Sequence, residues 1–358
     1  MATATLVAVT LPQGVVAAPS AGCGKSGMTD GSYTVPRPGS GLVRSFRVHV
    51  PTGYDARTGS PLIMIFHGWG GNEDEFLGDK TVTALADQRG YILVAPRGLG
   101  SGAPDSSNNS WSFSGSTSGL DGDGVNAAVH GDSAAICDAA KTPDYSYPSC
   151  RTAMRNTCSW THCQDDDVEF AVALVEHISA RLCVDTERVF ATGGSNGGML
   201  TWELGQNPAS APTFRAIAPV IGLPHRAYLN AQGKREKMPV LLITGLLDTT
   251  VPPGAWDDPS YTTTSNDSDR YFYTGATAIT RQWGKANGCV GTGNALPFDD
   301  GRAQADCRTY CTGDSGWSGG AVRSGWPNVL DCRARMGHDY GLPWSWPLIL
   351  DFFDAHSR

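Results

Sequence analysis

One decapeptide carries most of the architectural information: Arg188-Val189-Phe190-Ala191-Thr192-Gly193-Gly194-Ser195-Asn196-Gly197. Its first five residues form the apolar, β-branched run that is typical of a strand. Its last five have the form G-x-S-x-G, and residues 198–206 after them are compatible with a helix. Strand, sharp turn and helix together make the context of a nucleophile elbow. We therefore predict that Ser195 is a nucleophile, the alternative being a plain glycine-rich turn.

Short apolar runs alternate with helical patterns along much of the remaining chain. Strands are predicted at residues 45–51, 62–66, 91–95, 188–192, 216–221 and 240–244, and helices at 81–88, 166–182, 198–206, 277–286 and 346–356. Strands that alternate with helices indicate a parallel sheet covered on both faces. The prediction is an α/β protein with a mostly parallel central sheet flanked by helices.

The alternating pattern stops between about residues 101 and 164. Gly, Ser, Asp and Asn dominate this stretch, and it holds four cysteines. A structureless loop of such length is unusual inside a compact domain. We predict a disulfide-rich insertion beside the active site, within a single catalytic domain that spans residues 22–358. The run Asp121-Gly122-Asp123-Gly124 lacks the spacing and terminal Glu of a calcium loop, and no metal site is predicted there.

The acidic run Asp165-Asp166-Asp167 opens the clearest predicted helix. Apolar residues recur at i, i+3, i+4 spacing from position 168 to position 182. Asp166 and Glu169 form a capping-box-like start. This pattern favours a structural role for the three carboxylates over a metal site.

The composition of the chain limits its possible binding partners and its cellular compartment. The 358 residues have a net charge of -8 and no run of Lys or Arg, so we expect no nucleic-acid partner. The ten cysteines include no C-x-x-C pair, which predicts up to five disulfides and an oxidising location. The alternative is buried free thiols in a cytosolic enzyme.

No apolar run reaches about 18 residues, so no membrane span is expected. Residues 1–21 resemble a secretory signal without its basic start.

A serine nucleophile needs a base and an acid, which follow it along the chain in this type of fold. His338 lies in a loop shortly before the last predicted helix, and we choose it as the base over His225 and His356. Asp248 comes just past the strand at 240–244 and is predicted to orient the imidazole. Four carboxylates farther from a strand end are alternatives to it: Asp257, Asp258, Asp267 and Asp269. Asp339 is adjacent to His338 and would have to turn back on itself.

The oxyanion hole is predicted from two backbone N–H groups, those of Asn196 and Trp69. Trp69 lies in Phe66-His67-Gly68-Trp69-Gly70-Gly71, directly after an early strand, and Gly68 is the alternative donor. His67 is interpreted as a structural hydrogen-bonding residue. Trp111, Trp344 and Trp346 are predicted in loops or at loop–helix junctions, where exposed tryptophans suit sugar or aromatic ligands, the alternative being simple packing.

Several segments together resemble secreted feruloyl esterases and the related acetyl xylan esterases and polyhydroxybutyrate depolymerases. They are 66–71, Ala95-Pro96-Arg97-Gly98-Leu99, 181–198, Asp248 before Val251-Pro252, Ala286-Asn287-Gly288-Cys289 and Gly337-His338. The resemblance implies an α/β-hydrolase fold and a triad of Ser195, Asp248 and His338. The chain departs from the family at Thr244-Gly245, where His-Gly is common, and in its long cysteine-rich insertion.

The resemblance also implies a function. We expect a secreted serine carboxylesterase that hydrolyses hydroxycinnamate esters of plant cell-wall polysaccharide and needs no cofactor. The alternatives are an acetyl xylan esterase, a polyhydroxyalkanoate depolymerase or an aromatic polyester hydrolase. From another class, the alternative is a carbohydrate-binding protein that keeps the fold without catalysis.

Overall fold

The structure of the chain is a computed structural model. It describes residues 19–25, 27–38, 40–100, 108–116, 136–138, 140–142, 147, 149, 158, 161–226, 238–256, 262–265, 270–289, 296–299, 301, 304–309 and 326–357. Most of the predicted signal-like segment and much of the predicted insertion, including the run at 121–124, lie outside the described residues. So do the alternative acids at 257, 258, 267 and 269. Within the described ranges, no helix has the length and apolar character needed to cross a membrane.

Strands and helices alternate through the central part of the chain. The strands are β1 Gly31–Pro36, β2 Val43–His49, β3 Ser60–Phe66, β4 Ile92–Pro96, β5 Val184–Gly194, β6 Ala216–Val220, β7 Val240–Gly245, β8 Thr262–Thr264, β9 Phe272–Thr274, β10 Leu296–Phe298, β11 Ala305–Thr309 and β12 Val329–Ala334. The helices are α1 Asp74–Leu77, α2 Lys80–Arg89, α3 Asp167–Ser179, α4 Asn196–Gln206, α5 Ala276–Ala286 and α6 Leu342–Ala355.

Ten of these strands form one sheet, and β8 and β9 form a separate hairpin. The order in the large sheet is β1-β2-β4-β3-β5-β6-β7-β12-β11-β10. The six central strands, β4, β3, β5, β6, β7 and β12, run parallel to one another. The strands at both ends of the sheet pair antiparallel with their neighbours. The predicted α/β class with a mostly parallel sheet is confirmed.

Side chains of the central strands are buried on both faces. Every residue of β4, β6, β7 and β12 is buried, as expected for parallel strands covered by helices. Two separate apolar clusters lie on the two faces of the sheet. One contains residues of α3 and α4, and the other contains residues of α2 and α6. The core therefore holds the carboxyl ends of β5, β7 and β12 in a fixed relation.

Helix boundaries follow the local chemistry. The Asp166 side chain accepts the N–H groups of Val168 and Glu169 and caps α3, as the capping pattern predicts. α6 begins at Leu342, four residues before its predicted start at 346. The reason is that Gly341 takes a left-handed conformation at the N-cap and Pro343 fits the first turn of a helix.

The acidic run has a structural role, as predicted. Asp165 pairs with Arg37 and Arg44, at 2.9 and 2.8 Å. Asp167 pairs with Arg44 and with His162, both at 2.8 Å, and all three side chains are fully buried. The Arg44 and His162 charges hold the pKa of Asp167 well below its usual range, although burial opposes them. Each buried carboxylate is thus matched by a cation.

All eight cysteines among the described residues are disulfide-bonded. Cys23 pairs with Cys183, Cys137 with Cys158, and Cys307 with Cys332. The first pair attaches the segment before β1 to the start of β5, and the last joins β11 to β12 across the sheet. These pairs favour the predicted oxidising compartment over buried free thiols.

Candidate active site

The turn after β5 holds Ser195 in a strained conformation. Its φ of 53° and ψ of -117° lie in a region that residues with a side chain rarely adopt. The Ser195 N–H donates to the Val220 carbonyl at 2.9 Å, and its own carbonyl accepts from Met199 in the first turn of α4. A Cβ on Gly197 would overlap the Phe66 carbonyl oxygen, so this turn requires glycine there. The predicted strand–turn–helix geometry is present.

Three strand ends bring the polar residues of the site together. β5 ends directly before Ser195, and β7 and β12 are parallel neighbours whose last residues, Gly245 and Ala334, are register partners. Asp248 lies three residues after β7, and His338 lies four residues after β12. Because parallel strands end at the same edge of a sheet, the two side chains emerge side by side.

A continuous hydrogen-bond chain joins Asp248, His338 and Ser195. The His338 Nδ1 atom lies 2.8 Å from Asp248 Oδ2, and Nε2 lies 2.9 Å from Ser195 Oγ. The other carboxylate oxygen of Asp248 accepts the N–H groups of Thr250 and Val251 at 2.8 and 2.9 Å. Asp248 is 4% exposed, so both its oxygens are fixed in a dry site. This arrangement lets the imidazole take a proton from the serine hydroxyl while the carboxylate holds its orientation.

The other candidate histidines are committed elsewhere. His225 is buried between the rings of Tyr271 and Tyr273, with its Nδ1 atom 2.7 Å from the Gly115 carbonyl oxygen. His356 is buried against the Phe352 carbonyl. Burial lowers the pKa of each of these two histidines to about 4. Neither is placed to accept a proton from Ser195, which agrees with the choice of His338.

His67 supports the loop that follows β3. Its Nε2 atom accepts the Gly98 N–H at 2.8 Å, so the proton of the neutral ring is on Nδ1, which lies 2.6 Å from the Gly68 carbonyl oxygen. Burial lowers the pKa of His67 to about 4. The side chain thus has the structural hydrogen bonds expected from the sequence.

Residues 67–71, here called the oxyanion loop because they include the predicted donor Trp69, pass next to Ser195. A Cβ on Gly68 would lie 3.5 Å from the Ser195 Cβ. The Gly68 N–H donates to Glu75 Oε2 at 2.8 Å, which leaves Trp69 as the better of the two predicted donors in this loop. Asn196, the other predicted donor, is the first residue of α4 and directly follows Ser195.

The predicted insertion contacts both the oxyanion loop and the elbow. The Trp69 indole N–H donates to the Tyr147 hydroxyl at 2.8 Å, and that hydroxyl donates to the Asn108 carbonyl at 2.9 Å. The Gly70 N–H donates to the Asn109 carbonyl at 2.7 Å. The Asn196 side chain accepts the Trp111 N–H at 2.8 Å. These described parts of the insertion therefore lie beside the candidate site.

The predicted binding role of Trp111 is wrong. The residue is 0% exposed, its indole N–H donates to the His67 carbonyl at 2.8 Å, and its ring packs on Phe66. An aromatic ring at the end of an irregular, polar stretch suggested exposure, but the ring fills the core beneath the oxyanion loop. Trp346 is 0% exposed and its indole N–H donates to the Val82 carbonyl at 3.1 Å, so a binding role is wrong for it as well. Trp344 is half-buried in the first turn of α6, and its predicted ligand contact stays a prediction.

Sequence reasoning missed two residues of the site, Tyr340 and Glu75. The Tyr340 hydroxyl donates to Glu75 Oε2 at 3.0 Å, the same oxygen that accepts the Gly68 N–H. Burial and the Glu75 charge raise the pKa of Tyr340 well above its usual value, so its hydroxyl keeps its proton at neutral pH. The Asp-Tyr-Gly that follows His338 is the only sequence signal near this contact.

No group of three or more His, Cys, Asp or Glu side chains is arranged to hold a metal ion within the described parts of the chain. Asp339, which follows His338, uses its carboxylate to accept the Gly341 N–H at 2.7 Å. Asp248 is therefore the carboxylate that contacts the imidazole.

Comparisons with known proteins agree with this architecture. No family model matches the chain. It is 26% identical over 212 residues to feruloyl esterase D of Neurospora crassa, a match that covers 59% of this chain and 57% of the fungal protein. It is 26% identical over 254 residues to probable feruloyl esterase C of Aspergillus niger, which covers 69% of each. The match thus spans little more than half the length of the Neurospora protein.

The fold has a counterpart of known structure. The acetyl xylan esterase from Aspergillus awamori superposes with a TM-score of 0.51 at 13% identity, covering 91% of this chain and 99% of that one. At such low identity the match is informative about the fold, which is that of the α/β-hydrolases. The expected resemblance to feruloyl esterases and the expected fold are both confirmed.

Proposed function

We propose that this chain, an α/β-hydrolase that resembles feruloyl esterases in sequence, is a secreted serine carboxylesterase. Its proposed substrates are hydroxycinnamate esters of plant cell-wall polysaccharide. One observation carries the proposal: His338 joins Ser195 Oγ, at 2.9 Å, to the buried Asp248 carboxylate, at 2.8 Å. A hydroxyl with a base and an oriented acid in line is the arrangement that nucleophilic acyl transfer needs.

Acylation begins when His338 Nε2 takes the proton of Ser195 Oγ as the oxygen attacks the ester carbonyl carbon. The carbonyl oxygen gains the negative charge, and the N–H groups of Trp69 and Asn196 stabilise it. Asp248 stabilises the imidazolium electrostatically and keeps its own charge. The tetrahedral intermediate then breaks its bond to the alcohol oxygen, which leaves with the proton from His338.

Deacylation repeats these steps with water as the nucleophile. His338 takes a proton from water, the hydroxide attacks the acyl-enzyme, and the oxyanion forms in the same place. Breakdown returns the proton to Ser195 Oγ and frees the acid. Neither half of the reaction needs a cofactor.

The acyl group is proposed to be aromatic for two reasons. Trp69 lies in the oxyanion loop beside Ser195, and its half-buried indole is the proposed wall of the acyl site, held in place because its N–H donates to the Tyr147 hydroxyl. Offset stacking on such a ring stabilises an aromatic acid by about 0.5–1.5 kcal/mol beyond simple burial. The names of the two fungal relatives support the same substrate class. Secretion is supported by the disulfide-bonded cysteines.

The test is a set of initial rates with the oxidised protein. The substrates are methyl ferulate, methyl caffeate, p-nitrophenyl acetate and a short hydroxybutyrate oligomer, with Ser195→Ala as the blank. We expect turnover that depends on Ser195 and is fastest on the cinnamates. Turnover only on the acetate or the hydroxybutyrate would refute the aromatic acyl group and favour the acetyl esterase or depolymerase alternatives. Polysaccharide binding without any turnover would favour the carbohydrate-binding alternative.

A further inference from the structure

We propose that Tyr340 and Glu75 are positioning residues, which hold the oxyanion loop against Ser195 during ester hydrolysis. The inference rests on the proposed function. It assigns a role to two side chains that lie beside the three residues of the hydrogen-bond chain without being part of it.

Tyr340 contacts the elbow and the first helix with its ring. The ring stacks on Phe76 of α1, with centroids 4.8 Å apart and planes 14° from parallel. The ring also contacts the backbone just before Ser195, because a Cβ on Gly194 would overlap the Tyr340 ring atoms. The ring therefore fills the space between α1 and the elbow, two residues beyond His338.

The hydroxyl of Tyr340 reaches the oxyanion loop. A Cβ on Gly68 would lie 2.5 Å from the hydroxyl oxygen and 3.5 Å from Ser195 Cβ. The hydroxyl is thus close to the loop on the same side as the nucleophile. Since the Tyr340 hydroxyl keeps its proton, it remains a donor throughout the neutral range.

Glu75 connects the oxyanion loop to Tyr340 through one carboxylate oxygen. Oε2 accepts the Gly68 N–H at 2.8 Å and the Tyr340 hydroxyl at 3.0 Å. Glu75 is exposed, so its contribution is to join the two donors in one place rather than to form unusually strong bonds. One side chain of α1 thus fixes both the oxyanion loop and the tyrosine that follows His338.

This connection matters for the reaction because Trp69, the proposed donor to the oxyanion, directly follows Gly68. An N–H stabilises the oxyanion only at about 2.7–3.1 Å, and a displacement of about 1 Å costs up to roughly 100-fold in rate. Without the Tyr340 hydroxyl, the Glu75 carboxylate that accepts the Gly68 N–H is less firmly held, so the chemical step should slow while ground-state binding stays unchanged.

The experiment compares Tyr340→Phe with wild type and with Tyr91→Phe as the matched control. Tyr91 also donates its hydroxyl to a carboxylate, Asp354 Oδ1 at 2.7 Å, but that pair lies between β4 and α6, away from the site. For each protein, kcat and KM are measured on methyl ferulate, and Ki is measured for an aromatic boronic acid that mimics the tetrahedral intermediate.

We expect Tyr340→Phe to lower kcat about 10-fold at unchanged KM and to raise the Ki of the boronic acid by a similar factor. Tyr91→Phe should keep the wild-type kcat and Ki. A merely structural role for Tyr340 would reduce the active fraction and so lower kcat without moving Ki. That result, or a wild-type kcat in Tyr340→Phe, would overturn the proposal.

Substitution of Glu75 separates hydrogen bonding from charge. Glu75→Gln keeps an acceptor oxygen for Gly68 and Tyr340, so it should retain most of the kcat, whereas Glu75→Ala should lose about 10-fold. A wild-type kcat in Glu75→Ala would count against the proposal. The two ideas fail differently: an inactive wild type refutes the ester hydrolase itself, and an active wild type with unaffected variants refutes only the positioning role.

Discussion

The Oδ1 atom of Asn196 accepts the backbone N–H of Trp111 at 2.8 Å. Asn196 therefore has two proposed uses. Its backbone N–H is the proposed oxyanion donor, and its side chain attaches the segment around Trp111 to the turn that holds Ser195. Both residues are 0% exposed, so water does not replace this bond.

Asn196→Ala should therefore weaken both stability and catalysis. It leaves the buried Trp111 N–H without an acceptor, which costs about 1–3 kcal/mol of unfolding free energy, and it loosens the segment next to the oxyanion loop. The measurements are urea unfolding and kcat on methyl ferulate. Asn287→Ala is the control, since this buried asparagine bonds to Met238 and Trp283 carbonyls away from the site. Equal kcat losses in the two variants would contradict the special role of Asn196.

Asp248→Asn should abolish most of the activity and leave the fold intact. Thr250 and Val251 both donate to one carboxylate oxygen, so an asparagine keeps its amide oxygen there and presents its NH₂ group to His338 Nδ1. That interaction requires an unprotonated Nδ1, so the ring proton lies on Nε2. A protonated Nε2 cannot accept the proton of the Ser195 hydroxyl. We expect kcat to fall by roughly 10⁴, as the wrong tautomer does in other triads. A loss below 10-fold would show that another carboxylate acts.

A double-mutant cycle tests the contact between Gly194 and Tyr340. A Cβ at Gly194 overlaps the Tyr340 ring, so Gly194→Ala should displace the ring and reduce kcat at least about 10-fold. In a Tyr340→Ala background the added methyl group has room, and the further loss should be small. We expect a coupling of about 1–3 kcal/mol, calculated from kcat/KM of the four proteins. Additive effects would mean that the two residues do not meet.

Acid should destabilise the fold through three buried histidines. Burial lowers the pKa of His67, His225 and His356 to about 4, below their ordinary value of 6.5. Between those two pH values the unfolded chain binds protons that the folded chain does not, so stability is full above about pH 6.5 and is lost as pH falls toward 4. Each histidine contributes up to about 1.4 kcal/mol per pH unit.

The measurement is the urea unfolding free energy at several pH values from 7 to 4. His225→Gln is the informative variant, because its amide can still donate to the Gly115 carbonyl and it does not titrate. Its curve should fall less steeply than that of wild type. Parallel curves would show that His225 is protonated in the folded protein, contrary to its burial.

Part of the fold could be predicted from the sequence because it follows from local patterns of apolar and polar residues. Ser195, Asp248 and His338 follow strand ends in the order that the fold requires, and the strands predicted at 188–192 and 240–244 lie within β5 and β7. β12 escaped prediction because Asp331 and Arg333 interrupt its apolar pattern. In the structure they pair with each other at 2.8 Å, both fully buried, so the strand is internal despite its charges.

Contacts between residues far apart in the chain could not be predicted from the sequence. Glu75 and Tyr340 are 265 positions apart, and neither lies in a recognisable motif. Trp111 was misassigned because its neighbours are polar, while its burial depends on His67 and Phe66 far away in the chain. Periodicity and strand order predict where a chain runs, but the partners of single polar groups follow only from the packed structure.

Prolines stand at both outer strands of the large sheet, Pro36 at the end of β1 and Pro297 in the middle of β10. A proline has no N–H to give to a further strand, and it is tolerated in sheets mainly at such edges. Another copy of the chain therefore meets a gap in the hydrogen-bond ladder at either edge. Open strand edges favour aggregation, and within the described sheet a proline in each outer strand works against pairing with another copy there.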